Sequence, residues 1–404
     1  MSQELANLMQ VRAFVRVTDH GSVSKASAVL YRAQSVVTRA IADLEARLGV
    51  ALFERHANGM RLTDPGERIL PRARRVLAEL EGVPTQLGID AARVTEPLYL
   101  YQARRLQLFV KLCETRHMQT VANLFGLSQP AVSAALKVLE DGCGARLFER
   151  TPRGLQPTRA SLDILFPIRR ALNELRHMDA DLAALQGELR GLVHVGSLPL
   201  GRTRILPEAI VQLTAAHPGV QVATNESPFD LLATELRAGD LDFIFGALRP
   251  ADYASDLHGE ALLTEEMVIL VRDRHPLLGI DVQPDDLRQA RWVLPRAGSP
   301  ARQLLESSFA SAGIPAPLPV VESGDLAIIR GLLLRSDMLA AVSAHQLEVE
   351  IRAGDLRILP WPLAQTTRAI GLTYRTASLH TPAARALMDT IRQVSGPPRQ
   401  PEKG

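Results

Sequence analysis

The chain has 404 residues, 46% hydrophobic and 22% charged, enough for two or three globular domains and unlike a disordered or fibrous protein. No run approaches the ~20 apolar residues that span a bilayer, and no basic segment followed by an apolar one opens the chain. Two cysteines are too few for a disulfide framework or a structural zinc site, so the expected compartment is the cytoplasm. The net charge of +2 hides an asymmetry: residues 1–190 carry 26 Lys+Arg against 20 Asp+Glu, whereas residues 191–404 carry 20 against 24. The front half is the part suited to a polyanion.

In chain order, Leu8, Val11, Val15 and Thr18 lie on one face of a first helix. Residues 23–30 read as a second, and residues 35–48 as a third, with Val37, Ile41, Leu44 and Leu48 at the helical period. Only Tyr31–Gln34 joins the last two, which is the spacing of a helix-turn-helix. Leu52-Phe53 and Leu62-Thr63 flank a turn at Asn58-Gly59, read as a hairpin wing. A long helix follows, its apolar residues Ile69, Ala73, Val76 and Leu80 in heptad register until Pro84 ends it.

These landmarks recur 95 residues later without a gap. Phe14 matches Phe109, Gln34 matches Gln129, Glu45 matches Glu140, and Leu52-Phe53-Glu54-Arg55 matches Leu147-Phe148-Glu149-Arg150. The second seam runs through Ile164, Ile168, Leu175, Met178 and Leu182. Both seams are candidate oligomerisation surfaces, since a heptad stripe on a polar helix calls for a partner helix. The expected layout is a winged helix-turn-helix over 1–66, a linker helix over 67–83, a connection over 84–103, a second winged unit over 104–161 and a second linker helix over 162–187.

From Gly191 strands and helices alternate, the pattern of α/β sheets with ligands at strand ends. Two lobes are expected within 191–395, one from 192–258 plus 368–395 and one from 262–360, with a disordered tail over 396–404. The fold class is thus multidomain: two helical winged units with linker helices, then a two-lobed α/β domain.

Base readout in a major groove calls for short or planar polar groups in the first turns of a recognition helix. The candidates are Gln34, Ser35, Thr38 and Arg39 in copy 1 and Gln129, Pro130 and Ser133 in copy 2, with Arg55, Asn58, Arg150 and Arg153 on the wings suited to phosphates. The bland alternative is a set of solvated polar positions on small helical domains. In the back half, strand ends feeding helix N-termini nominate Ser197, Leu198, Arg202 and Thr203 in one lobe and Arg296, Ser299, Ser323 and Val342 in or near the other.

The helical units resemble the DNA-binding domain of the LysR-type transcriptional regulators. Ser128-Gln129-Pro130-Ala131-Val132-Ser133, Leu139-Glu140 and Gly144 carry this in copy 2, and Gly21-Ser22, Val37, Arg39, Leu44-Glu45 and Leu48-Gly49 in copy 1. That family usually has one such unit per chain. The copies depart from its pattern in complementary ways: copy 1 has Ala33 where copy 2 keeps Ser128, and copy 2 has Ala134 where copy 1 keeps Arg39 and Gly142-Cys143-Gly144 where it has Arg47-Leu48-Gly49. Gly191–Gly196, Leu206-Pro207, His217-Pro218, Gly239–Asp242 and His275-Pro276-Leu277 resemble the family's effector domain, itself similar to two-lobed periplasmic solute-binding proteins. Gly196–Arg202 and Ala247-Leu248-Arg249 look like the galactose-binding-protein-regulator subgroup.

The resemblance implies a regulator of promoter or operator DNA, homo-oligomeric as a dimer or tetramer, with no cofactor and no membrane partner, controlled by a sugar or small organic acid between the lobes. The alternative is a solute-binding or enzymatic α/β domain fused to a non-specific DNA-binding region. No zinc-protease, nucleophile-elbow, P-loop or dinucleotide motif supports an enzyme.

Overall fold

The computed structural model describes residues 5–56, 59–90, 96–152, 154–250 and 252–396. Its front half opens with α1 (Leu8–His20), α2 (Val23–Leu30), α3 (Gln34–Leu48), the hairpin β1 (Phe53–His56) and β2 (Gly59–Leu62), and α4 (Asp64–Glu81). After the short α5 (Val83–Gln86) the same order returns as α6 (Ala103–Thr115), α7 (Met118–Phe125), α8 (Gln129–Cys143), β3 (Phe148–Thr151), β4 (Gly154–Pro157) and α9 (Arg159–Leu185).

The repetition extends to single bonds. Glu45 accepts from the amides of Leu52 and Phe53 at 2.7 and 3.2 Å, and Glu140 from those of Leu147 and Phe148 at 2.8 and 3.4 Å. Both glutamates thereby fasten the hairpin to the third helix. Phe14 packs on Phe53 at 5.4 Å between ring centroids, and Phe109 on Phe148 at 6.0 Å. Both third helices stop at a left-handed glycine, Gly49 at φ +72° and Gly144 at φ +62°.

One departure between the copies has a packing cause. A Cβ at Gly142 would lie 2.2 Å from the ring of Tyr99, which the connection lays across α8. Arg47, its counterpart in copy 1, reaches Asp179 of α9 at 3.0 Å.

The sequence assigns Ile69, Ala73, Val76, Leu80, Ile164, Ile168, Leu175, Met178 and Leu182 to oligomerisation, and in this structure they are covered within the single chain. None of the nine is more than 6% exposed, because α4 and α9 of the same chain pack against each other. The helices run antiparallel: Arg75 faces Glu174, and further along α4 Glu79 faces Arg170, further back on α9. The ~20-residue connection can reach about 66–72 Å when extended, so it easily returns the second helix to the first. Being tethered, the two helices meet at a high effective concentration that a second chain would have to exceed.

The back half contains β5 (Gly191–Ser197), α10 (Ile205–Ala216), β6 (Val220–Asn225), α11 (Phe229–Ala238), β7 (Phe243–Ala247), β8 (Leu257–Glu265), β9 (Met267–Arg272) and α12 (Pro284–Gln289). Next come β10 (Arg291–Leu294), α13 (Pro300–Ser311), β11 (Pro319–Glu322), α14 (Leu326–Leu333), β12 (Met338–Ser343), α15 (Glu348–Ala353), β13 (Leu356–Ile358), β14 (Arg368–Arg375) and α16 (Pro382–Ser395). They build two five-stranded sheets, β6-β5-β7-β14-β8 and β11-β10-β12-β9-β13, one per lobe. All five residues of β7 are buried, as suits a strand in the middle of a covered sheet.

The first lobe is longer than the sequence boundaries allow. β8 runs through to Glu265 as the edge of the first sheet, antiparallel to β14, so that lobe does not end at 258. The chain crosses to the second lobe at Glu265–Met267 and returns just before Arg368. Of the tail assigned to 396–404, residues 397–404 lie outside the described residues.

Lobe and linker helices meet around one arginine. Arg72 of α4, 2% exposed, donates to Asp181 at 2.5 Å and Glu174 at 2.6 Å on α9, and to the carbonyl of Leu379 ahead of α16 at 3.0 Å. A cavity of about 820 Å³ lies between α9 and the first lobe, lined in part by Asn173, Arg176, His177, His194 and Asp242. Enclosure there and the nearby Arg72 push the His177 imidazole down to about 3, so it is neutral at physiological pH.

Candidate DNA interface and interlobe cleft

Each third helix buries one face and presents the other to solvent. In α3, Val37, Ile41 and Leu44 are buried while Gln34, Ser35, Thr38 and Arg39 are exposed. In α8, Val132, Leu136 and Leu139 are buried while Gln129, Pro130 and Ser133 are exposed. The structure thus gathers the sequence candidates of each copy onto one helix end.

The two ends are organised differently. Ser128 accepts from the amide of Ala131 at 3.4 Å and caps α8, whereas Ala33 offers α3 no side-chain cap. Gln34 donates instead to the Ser24 hydroxyl on α2 at 3.0 Å, which steers its amide from the preceding helix. The residue matching Ser24 in copy 2 is Gln119, and it bonds Asn123 at 2.9 Å, leaving Gln129 without a side-chain hydrogen bond among the described residues. The Arg39 side chain is 84% exposed and only 3.9 Å at nearest from Asp43, a loose pair. On the hairpins, Arg150 is exposed on β3 and the backbone of Arg55 pairs with Met60. Asn58 and Arg153 lie outside the described residues.

In the back half, Ser197, Arg202 and Thr203 stand where β5 runs out toward the second lobe. Ser197 is 1% exposed and its hydroxyl has no hydrogen-bond partner. Arg202 donates back to the Ser197 carbonyl at 3.0 and 2.6 Å, with burial lowering its pKa against the pull of Glu226 and Asp325. Thr203 bridges the lobes, donating to the His345 carbonyl at 3.5 Å.

Two other candidates turn their side chains away from this space. Leu198 packs in the core with Phe229 and Leu232, and Val342 in the core of the second lobe with Leu270 and Val293; their positions at strand ends point them inward. Ser299 accepts from the Arg302 amide at 3.4 Å as the cap of α13, and Ser323 accepts from the Asp325 amide at 3.2 Å. Arg296 is exposed beside that cap.

Residues at the crossing were missed in the sequence. Glu265, 7% exposed, accepts from the Ser343 hydroxyl and lies 3.6 Å from His345 of the other lobe. Arg368 opens β14 opposite Glu265 and forms no ion pair among the described residues. Burial and the neighbouring Arg249 depress its pKa, and Glu265 opposes them. Arg249 lies over the Phe229 ring at 4.2 Å, its pKa lowered by burial. The available signal was a charged residue opening an otherwise buried strand, which carries no motif.

Among the described residues, no cluster of His, Cys, Asp or Glu is placed to hold a metal, and no helix is long and apolar enough to cross a membrane.

Comparison with known proteins bears on these two regions together. The model of the bacterial regulatory helix-turn-helix protein, lysR family, matches residues 8–67 and again 103–161, and that of the LysR substrate binding domain matches residues 186–396. The HTH-type transcriptional regulator GalR of Pseudomonas putida is 72% identical over 391 residues, covering 97% of this chain and 98% of its own length. The HTH-type transcriptional regulator GbpR of Azospirillum brasilense is 30% identical over 72% of this chain and 86% of its own. Full-length CbnR solved with its target DNA aligns over 72% of this chain and 99% of its own, with TM-score 0.53 and 22% identity, and shows the shared fold. The chain belongs to the LysR family of bacterial transcriptional regulators: it is a DNA-binding regulator with an effector-binding domain, and its relatives are regulators rather than enzymes.

Proposed function

We propose that both helical units are winged helix-turn-helix readers and that an anionic small molecule, a carboxylate, controls them from the cleft between the lobes. The chain would work in the cytoplasm, with copies over 5–63 and 103–158, linker helices α4 and α9, and an effector domain from 191 to 395. Any assembly into homo-oligomers would use surfaces other than the linker seams, which are covered within the chain.

The DNA reading is supported by matching faces: Gln34, Ser35, Thr38 and Arg39, and Gln129, Pro130 and Ser133, all stand clear of the protein at a helix N-terminus. Arg55 and Arg150, with Asn58 and Arg153, would hold the backbone. The effector reading rests above all on Arg368, a desolvated guanidinium at the hinge that feels Glu265 opposite it but forms no direct ion pair among the described residues. Arg202 and Arg249 add positive charge, and the orphaned Ser197 hydroxyl adds a directed group. Nearby carboxylates answer these arginines only in part, since burial still lowers all three, and this favours the organic acid of the two effector classes.

Thermal shift of the full chain against matched panels of small carboxylic acids and neutral sugars tests this. At least one acid should raise the melting temperature, and Arg368→Gln should abolish that rise while leaving the unliganded melt unchanged within about 1 °C. A sugar that stabilises the parent chain and the Arg368→Gln variant equally would contradict the anionic assignment.

A further inference from the structure

The ion pairs between α4 and α9 carry a symmetry. Arg75 faces Glu174 at 3.6 Å, and Glu79 faces Arg170 at 2.7 Å. Arg170 is the repeat counterpart of Arg75, and Glu174 that of Glu79, each 95 residues on. The two pairs are therefore one contact seen from both sides, residue i on j and j on i, as in a two-fold dimer interface. Each reader is also fixed to its own linker helix in the same way, through Thr63 to the Ala51 carbonyl at 2.6 Å and Thr158 to the Arg146 carbonyl at 2.8 Å.

The DNA-facing surfaces do not share that symmetry. Beside the common Gln34 and Gln129, copy 1 exposes Ser35, Val36, Thr38 and Arg39 where copy 2 exposes Pro130, Ala131, Ser133 and Ala134. The effector domain breaks it again. Arg72 reaches the Leu379 carbonyl at 3.0 Å, and its counterpart on α9 is Pro167, which has no donor to offer. Only one side of the pair is docked this way.

We propose that a single chain is a complete, asymmetric reader pair, and that it recognises two adjacent, unlike half-sites in a fixed order rather than a palindrome. This rests on the reading above that both copies contact bases. Two-fold dimers of identical readers select palindromes because the protein's symmetry is mirrored in the site. Here the scaffold keeps the two-fold arrangement while the side chains that meet the bases differ, so a symmetric site would match one half and mismatch the other.

The test is selection of binding sites by the full chain from a randomised duplex library. The selected site should contain, for each chain bound, two neighbouring half-sites of different sequence. Duplicating either half into a palindrome should weaken binding about tenfold or more, as a mismatch or two would. The combined variant Ser35→Pro, Val36→Ala, Thr38→Ser and Arg39→Ala gives copy 1 the face of copy 2. It should now prefer the palindrome built from the copy 2 half, a gain that a misfolded protein cannot show. Palindromic half-site pairs selected by the parent chain would overturn the proposal while leaving both copies as readers. If neither the combined variant nor Gln34→Ala changes preference at any base position, copy 1 does not read bases, and the reading beneath the proposal fails instead.

Discussion

Gln129 and Arg39 show how single side chains divide the work at the proposed DNA interface. Gln129 stands on a capped helix with its amide uncommitted, so its direction is set by the backbone and its bonds are left for a base. Arg39 is a long, exposed cation with only a loose partner, a group better suited to phosphate. Arg39→Ala should lower the slope of log affinity against log salt by about one unit, on selected and scrambled duplexes alike. An unchanged slope would remove Arg39 from the interface. The exposed face of α3 was legible in the sequence because helical periodicity separates Val37, Ile41 and Leu44 from the polar positions between them. Arg368 was not, because its importance comes from Arg249 and Glu265, far away in sequence. Leu198 and Val342 misled for a related reason: position at a strand end does not tell which face of the sheet a residue occupies, and both turned into cores.

At the scale of elements, the α4–α9 pair holds the front half together and carries the contact to the effector domain. Its apolar seam is interrupted by one buried charge cluster in which Arg72 answers both Glu174 and Asp181. Removing the arginine leaves buried Asp181 without its partner and Glu174 with only the longer 3.6 Å pair to Arg75, which is more damaging than never having had the cluster. Arg72→Met should therefore cost about 3–5 kcal/mol in a denaturant titration. Adding Glu174→Gln and Asp181→Asn should recover a substantial part of that loss. A single substitution costing less than ~1 kcal/mol would mean that water, not protein, satisfies the cluster. The seams themselves were plain in the sequence, and their partner was not, since a heptad stripe is the same whether the facing helix lies in this chain or another. Strand β8 was cut by the assigned boundary because its burial does not alternate along an edge position, leaving no period to detect.

For the whole molecule, the number of readers per chain depends on where the two linker helices find each other. Pairing within the chain makes one polypeptide a reader pair; exchange between chains would give the same contacts in a dimer and return the chain to the family's usual plan. Glu79 and Arg170 meet at 2.7 Å across the pair, which makes them suitable anchors. The native thiols will not compete, since burial pushes Cys113 up to about 12 and Cys143 up to about 11. The decisive measurement is cross-linking of the full-length Glu79→Cys, Arg170→Cys variant with a short bifunctional maleimide at low micromolar concentration, followed by denaturing electrophoresis. Pairing within the chain predicts a bridged product at the mass of one chain, and no bridging when chains carrying only Glu79→Cys are mixed with chains carrying only Arg170→Cys. A product at twice that mass, formed efficiently from the mixed single variants, would contradict it.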